Sequence, residues 1–259
     1  MNNQLEQARK LHELHRGGSP LVLVNAWDAG SAQMIQEAGG QAIATGSWSV
    51  AAAHGYEDGE KLPFDLVLAN LQRISNSVDL PVTIDIEGGY GASPGDIKNH
   101  VLQIIECGAA GINLEDQKIH EPGLYAVDEQ ALRITAVREA AEHTSIPLFI
   151  NARTDIFLET AAHDHEETHL EAALQRAHAY AEAGAHGIFV PGLCNEILIE
   201  KLCQQSSIPV NVMISPDSPS LQKLASLGVA RISYGPHPYL LLMDVLRQAT
   251  MRALALQKL

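Results

Sequence analysis

Cations, aromatics and cysteine are all scarce in this sequence, and it has no long apolar run. Its 259 residues hold 17 Lys and Arg against 31 Asp and Glu, a formal charge of −14. With no basic stretch to meet phosphates, that balance argues against a nucleic-acid or anionic-membrane partner. A small anionic substrate is not excluded, but a metal ion or a well-placed arginine would have to hold it. Nowhere do about eighteen apolar residues follow one another, so no segment reads as a membrane span. The opening stretch, Met1-Asn2-Asn3-Gln4-Leu5-Glu6-Gln7, lacks the basic-then-apolar pattern of a signal peptide. Cys107, Cys194 and Cys203 form no CxxC pair, and an odd count suits a reducing compartment. A cytoplasmic protein is expected.

Hydrophobic residues make up 46% of the chain, ample for a core. The length suits one large α/β domain or two small ones. Residues 4–16 carry Leu5, Ala8, Leu11 and Leu14 on one stripe and predict an amphipathic helix. Eight short apolar runs follow: Leu21–Ala26, Gln41–Thr45, Val82–Ile86, Ala110–Leu114, Leu148–Ile150, Gly187–Val190, Val210–Ile214 and Ala230–Tyr234. Proline and glycine precede them in strict alternation, with Pro20, Pro81, Pro147 and Pro209 spaced 61, 66 and 62 residues apart. Helix-like segments lie between, at 29–38, 63–77, 96–106, 128–142, 167–183, 195–206 and 218–226. Near-continuous apolar strands alternating with helices predict parallel pairing with helices outside. Eight units in about 250 residues match a (β/α)₈ TIM barrel, read as one domain over 1–259. A doubly wound open sheet is the competing topology.

The last segment, 237–257, is apolar on every face of its first two turns, through Tyr239, Leu240, Leu241, Leu242, Met243, Val245 and Leu246. An outer barrel helix needs one buried face, so the surplus predicts a subunit interface. Burial under local loops is the competing reading.

The stretch Val82-Thr83-Ile84-Asp85-Ile86-Glu87-Gly88-Gly89-Tyr90-Gly91 carries the strongest chemical signal. On an extended strand Asp85 and Glu87 would leave the same face. Two such carboxylates are costly to ionise beside a core, and a hard divalent cation such as Mg²⁺ removes that cost. The alternative is a strand-end pair facing water. In a barrel the site forms at the carboxyl ends of strands. Those ends supply Asn25 and Trp27, then Gly46, Ser47 and Trp48, then Asp85 and Glu87, then Asn113, Glu115 and Asp116. The later ends supply Asn151, Arg153 and Asp155, then Asn211 and Met213, and finally Ser233 and Tyr234 with His237 just beyond. Acids crowd two neighbouring ends, and Arg153 is the fixed cation there. The pattern reads as a metal seat facing one anion clamp. Arg153 could instead pair structurally with Asp155 or Glu115.

Five motifs resemble the isocitrate lyase/phosphoenolpyruvate mutase superfamily. They are Asn25-Ala26-Trp27-Asp28-Ala29-Gly30-Ser31, Gly55-Tyr56-Glu57-Asp58-Gly59-Glu60, the Asp85–Gly91 stretch, Ile112-Asn113-Leu114-Glu115-Asp116 and Asn151-Ala152-Arg153-Thr154-Asp155. The resemblance runs from about residue 20 to residue 240. It implies a barrel whose last helix swaps onto a neighbouring subunit of a homodimer or homotetramer. It implies Mg²⁺, or alternatively Mn²⁺, held by Asp85 and, partly through waters, by Asp58, Glu87 and Glu115. Substrates would be 2-oxo acids or phosphonates, with Trp27, Gly46, Ser47, Asn211 and Arg153 around them.

The loop after the fourth strand departs from the superfamily. Lyases carry Lys-x-Cys-Gly-His there and phosphonopyruvate-forming mutases a lysine and an asparagine; here the loop reads Gln117-Lys118-Ile119-His120-Glu121-Pro122-Gly123-Leu124. Lys118 and His120 remain as candidate acids or charge clamps, or as solvated loop residues. His237 and His54 are further catalytic candidates, with a helix-start histidine as the bland reading for His237. The expected reaction is Mg²⁺-dependent cleavage of a C–C bond beside a 2-oxo acid, oxaloacetate decarboxylation being simplest. P–C chemistry on phosphonopyruvate or a carboxyphosphonoenolpyruvate-like compound, and a non-catalytic dicarboxylate-binding barrel, are the alternatives. Three patterns are set aside. Gly89-x-Gly91 lacks the third glycine of a dinucleotide loop, His163, Asp164, His165 and His169 read as a solvated helix start rather than a zinc site, and Cys194 and Cys203 read as packing residues.

Overall fold

The computed structural model describes residues 2–16 and 18–256. The expected domain limits at 1 and 259, and the end of the last segment at 257, lie outside the described residues. In chain order the elements are α1 (Asn2–Leu14), β1 (Leu21–Leu23), β2 (Asn25–Ala26), α2 (Ala29–Glu37), β3 (Ile43–Thr45), α3 (Ser47–Ala53), α4 (Phe64–Ser75), β4 (Val82–Asp85), α5 (Pro94–Glu106) and β5 (Gly111–Glu115). They continue as α6 (Val127–Thr144), β6 (Phe149–Arg153), α7 (Glu167–Ala183), β7 (Gly187–Phe189), α8 (Glu196–Gln205), β8 (Val210–Met213), α9 (Leu221–Ser226), β9 (Arg231–Ser233) and α10 (His237–Leu254).

Every strand pair is parallel, and the order β1-β9-β8-β7-β6-β5-β4-β3-β2 follows the chain without a reversal. A doubly wound sheet would reverse order at a switch point, so that topology is ruled out. The first two strands are pieces of one run broken at Val24; β1 pairs with β9 and β2 with β3. Through that broken strand the sheet closes into the expected (β/α)₈ barrel. The helix α3 is not expected from the sequence: its Ser47-Trp48-Ser49-Val50 start sits inside a βα loop, and seven residues are too few to show periodicity.

Local chemistry explains the boundaries. Asp28 and Ser93 cap α2 and α5 by accepting from Ser31 N and Asp96 N. Gly184 ends α7 at φ +111°, where an added Cβ would strike the Arg138 side chain. The first helix seals the barrel's amino-terminal end, burying Ala8 and Leu11 completely.

Beneath that plug His15 stacks on Phe149 with ring centroids 3.9 Å apart, and its Nδ1 meets Leu11 O at 2.7 Å. Burial, with Arg231 nearby, pushes its pKa down to about 3. The folded protein therefore holds His15 neutral while the unfolded chain protonates near pH 6.5, so stability falls as pH drops from 6.5 toward 3. At pH 4.5 this site is expected to cost about 3 kcal/mol relative to pH 7.5. His15→Leu should shrink the drop in urea-unfolding free energy between those pH values by a similar amount. An unchanged drop would contradict the assignment.

Candidate active site

Asp85 ends β4, and its backbone N–H donates to Thr45 Oγ1 at 3.1 Å, tying two strand ends together. Its carboxylate lines a cavity of about 170 Å³ with Asp58, Asn113, Arg153, Gly46, Ser47 and Trp48. That is well below the roughly 300 Å³ of pockets for drug-sized ligands, so the space suits a compact molecule. Phe189, Pro191 and Met213 form an apolar wall on the strand ends across the barrel. Burial pushes the Asp85 carboxyl up, against the pull of Arg153.

The Asp85–Glu87 pair does not share an extended face. The strand stops at Asp85, and Glu87 takes φ +50°. The left-handed turn swings its carboxylate behind the strand end. There Oε2 accepts from Gly59 N at 2.7 Å and Glu60 N at 2.8 Å, and Oε1 accepts from Tyr90 Oη at 3.0 Å. Glu60 and Tyr90 are themselves left-handed, at φ +55° and +57°, and Tyr90 N donates to Glu60 Oε1 at 2.7 Å. Three strained non-glycine residues thus hold one another in place beside Asp85. Burial, then the Asp58 charge, raises the Glu87 pKa to about 7.

Arg153, at the end of β6, makes the ion pairs that the sequence allowed and also borders the cavity. It forks onto Asp155 through Nε at 2.5 Å and Nη2 at 2.8 Å, and its Nη1 meets Glu115 Oε2 at 2.8 Å. It also lines the cavity, with 17% of its side chain exposed and Asp85 Oδ2 4.0 Å from Nη1. Burial opposes its charge, but Glu115 and Asp155 beside it raise its pKa above the ordinary value. Asp155 is fixed in turn, because its N–H donates to Asp116 Oδ1 at 3.0 Å; Asp116 Oδ2 accepts from Arg176 at 2.9 Å and Tyr180 at 2.8 Å.

Among the described residues no three His, Cys, Asp or Glu side chains are gathered tightly enough to make a ready metal cage. The donors still fit a hard cation that keeps several waters: Asp85 and Asp58 both line one cavity, and the Asp85 side chain is only 9% exposed and has a backbone donor, Glu87 N at 3.1 Å. The oxygens of Glu87 are engaged by the protein and Glu115 is held by Arg153, so both stand behind Asp85 and do not line the cavity.

Several expected residues lie elsewhere. Trp27 packs edge-on to Tyr239 at 5.3 Å and does not line the cavity; Trp48 does. Asn211 is buried in the barrel interior, bonded to Asn151 and Ser233 below the cavity. His237 is exposed at the start of α10, with Nδ1 at 2.9 Å from Tyr234 O, and Pro236 takes the lining position. His54 caps α3 by bonding Val50 O at 2.9 Å. Lys118 and His120 line a separate cavity of about 230 Å³ with Glu60, Tyr125 and Arg133. Their loop folds into a tight hairpin bridged between Gln117 and Leu124, and Ile119 lies over Gly88, where an added Cβ would meet it at 2.9 Å. Of the expected solvated helix start, His163 is exposed, but His165 is buried with Nε2 3.0 Å from Phe157 O, and His169 Nδ1 accepts from Glu166 N at 3.1 Å. The three cysteines are free thiols, and burial pushes Cys203 up to about 12.

This geometry can hold a small dianion between a cation seat and a guanidinium at the carboxyl end of a closed barrel. The sequence profile of the phosphoenolpyruvate phosphomutase family matches residues 11–254. A crystal structure from Burkholderia cenocepacia J2315, provisionally assigned as a phosphonomutase, superposes with a TM-score of 0.94 at 48% identity, covering 96% of this chain and 99% of that one. The 2-methylisocitrate lyase of Escherichia coli K12 is 31% identical over 199 residues, which span 74% of this chain and 64% of the lyase. The chain thus spans somewhat less than two thirds of that enzyme's length. A phosphonopyruvate hydrolase crystallised with oxalate and Mg²⁺ shares the fold, with a TM-score of 0.82 at 20% identity over 95% of this chain and 86% of that one. The chain belongs to the phosphoenolpyruvate phosphomutase family, within the isocitrate lyase/phosphoenolpyruvate mutase superfamily of lyases and mutases.

Proposed function

We propose that this protein is a Mg²⁺-dependent lyase that breaks the bond between C3 of a small 2-oxo acid and its substituent, with oxaloacetate as the simplest substrate. The observation carrying the reading is one compact cavity lined together by Asp85, Asp58 and Arg153 at the strand ends, with Arg153 Nη1 4.0 Å from Asp85 Oδ2. Asp85, with Asp58 beside it, would hold the ion. When bound, Mg²⁺ supplies positive charge to the keto oxygen that gains negative charge as the bond breaks. Arg153 and the backbone around Gly46 and Ser47 would hold the substrate carboxylate and fix the dihedral about C3. The apolar wall of Phe189, Pro191 and Met213 would limit water at the reacting carbon. Decarboxylation then releases CO₂ from C4, leaves its electron pair in a pyruvate enolate, and ends with protonation of C3. No cysteine acid is required for a leaving CO₂, which suits a loop without one. Pyruvate formation from oxaloacetate above the rate with free Mg²⁺ is the expected result; no excess rate would reject this reaction.

A second reading, P–C bond chemistry on a phosphonopyruvate-like compound, is favoured by the 48% identity to the structure provisionally assigned as a phosphonomutase. Phosphorus NMR separates the two, because only this one moves a phosphonate signal.

For assembly, the swapped-helix arrangement is proposed. None of α10 is buried, and Leu241, Val245 and Leu246 are 66%, 53% and 57% exposed. A groove of about 470 Å³ lined by Val22, Val24, Met34 and Ile35 lies open over the broken first strand, beside the place an eighth barrel helix would take. The apolar face of α10 from a second copy is the proposed occupant of that groove. Leu241→Glu with Leu246→Glu should turn a dimer or tetramer into monomer by light scattering. A wild-type monomer would overturn the arrangement.

A further inference from the structure

Arg231 is the largest fully buried side chain among the described residues, at 0% exposure on β9 facing the barrel interior. Its nearest polar contacts are long: Nε to Ser233 Oγ at 3.3 Å and Nη2 to Asn113 Oδ1 at 3.4 Å. Nη1 has no hydrogen-bond partner, and no carboxylate stands within the 4.0 Å of an ion pair, among the described residues. Asn113 and Ser233, which it contacts, both line the catalytic cavity, while Arg231 itself does not.

A buried guanidinium without a counter-ion is expensive, and replacing it with a hydrocarbon would ordinarily stabilise a core. Burial pulls its pKa down to about 10, with Asp85 the acid that supports the charge, so it remains a cation at neutral pH. The cavity above explains why a cation is useful there. Asp58, Asp85, Glu87, Glu115 and Asp155 crowd this end of the barrel, and Arg153 is committed to two of them. A dianionic substrate entering that field meets net repulsion even with a divalent ion present. A fixed positive charge one layer below offsets it without occupying space in the cavity.

We propose that Arg231 is a positioning residue of the site: an uncompensated cation beneath the cavity floor that favours anionic substrate and holds Asn113 and Ser233 toward it. The proposal rests on the reading of the cavity as a seat for Mg²⁺ and a small dicarboxylate.

The test is calorimetry with two probes on the full chain: Mg²⁺ alone, and oxalate at saturating Mg²⁺. Removing a buried positive charge shifts the two in opposite directions. Arg231→Met or Arg231→Gln, whichever keeps the wild-type circular dichroism, should weaken oxalate about tenfold or more and tighten Mg²⁺ severalfold. Loss of packing alone would weaken both, and a filler role would move neither; either result overturns the proposal. If neither neutral variant folds, Arg231→Lys decides. Oxalate and Mg²⁺ affinities within about threefold of wild type support a charge role, and an oxalate loss above tenfold with the charge retained refutes it. Failure of the wild type itself to bind oxalate with Mg²⁺ would instead strike the proposed function.

Discussion

Asp85→Asn is expected to abolish turnover, by at least about a thousandfold, while leaving the metal-free protein as stable as wild type or more so. Both halves follow from one fact. Asp85 is a buried carboxylate whose pKa burial has raised, with Arg153 no nearer than 4.0 Å. Such a group costs folding energy when ionised, and the Arg153 guanidinium at 4.0 Å and the Glu87 N–H offset only part of that cost. Asparagine keeps the shape and removes the charge, so the variant's unfolding free energy should rise by about 1 kcal/mol. For a chain of this size that is about 2–4 °C in Tm. The same change removes the principal anionic ligand proposed for Mg²⁺. Addition of Mg²⁺ should therefore raise the Tm of wild type but not of the variant. A variant that is less stable without metal and still responds to Mg²⁺ would show that Asp85 serves the scaffold rather than the ion.

Arg153→Ala is expected to be the most damaging single change in the site. Its guanidinium forks onto Asp155, meets Glu115 and borders the cavity. Both acids are almost fully buried, at 2% and 4% exposure. Deleting the cation strands them, and losing one partner of a buried ion pair costs about 3–5 kcal/mol. Oxalate affinity should fall at least a hundredfold, since the proposed carboxylate clamp goes with it. Arg153→Ala combined with Asp155→Asn removes one stranded charge and should recover part of the stability but none of the oxalate binding. Recovery of binding along with stability would mean that Arg153 only holds the strand ends together, which was the competing reading of this residue.

How far the sequence carried these conclusions differs from element to element. Proline and glycine before each apolar run mark every strand except β2, which is the second piece of a broken run, because strand starts tolerate a missing N–H and helix ends favour a left-handed residue. Strand carboxyl ends led directly to Asp85, Arg153, Gly46 and Ser47, and the loop motif to Asp58, all of which line one cavity. Period-two reasoning failed at Glu87, since it assumes extended backbone and this residue is left-handed at φ +50°. No residue type there announces the turn; only the following glycines hint that the strand has ended. The choice of Trp27 over Trp48 failed because both follow strand ends, and α3 turns only the second toward the cavity. Lys118 and His120 could not be placed from sequence, since a hairpin closed by a single bridge decides which cavity they face. Arg231 was overlooked because it sits within an apolar run, where its neighbours suggest packing alone.

The central claim is that a divalent cation and a small dianion share the cavity that Asp85 and Arg153 both line. Calorimetric titration of oxalate into the protein with and without Mg²⁺ tests it most directly. The account predicts binding at one site per chain that requires Mg²⁺ and disappears in Asp85→Asn. Oxalate binding of equal strength without Mg²⁺, or with Asp85→Asn unchanged, would contradict it.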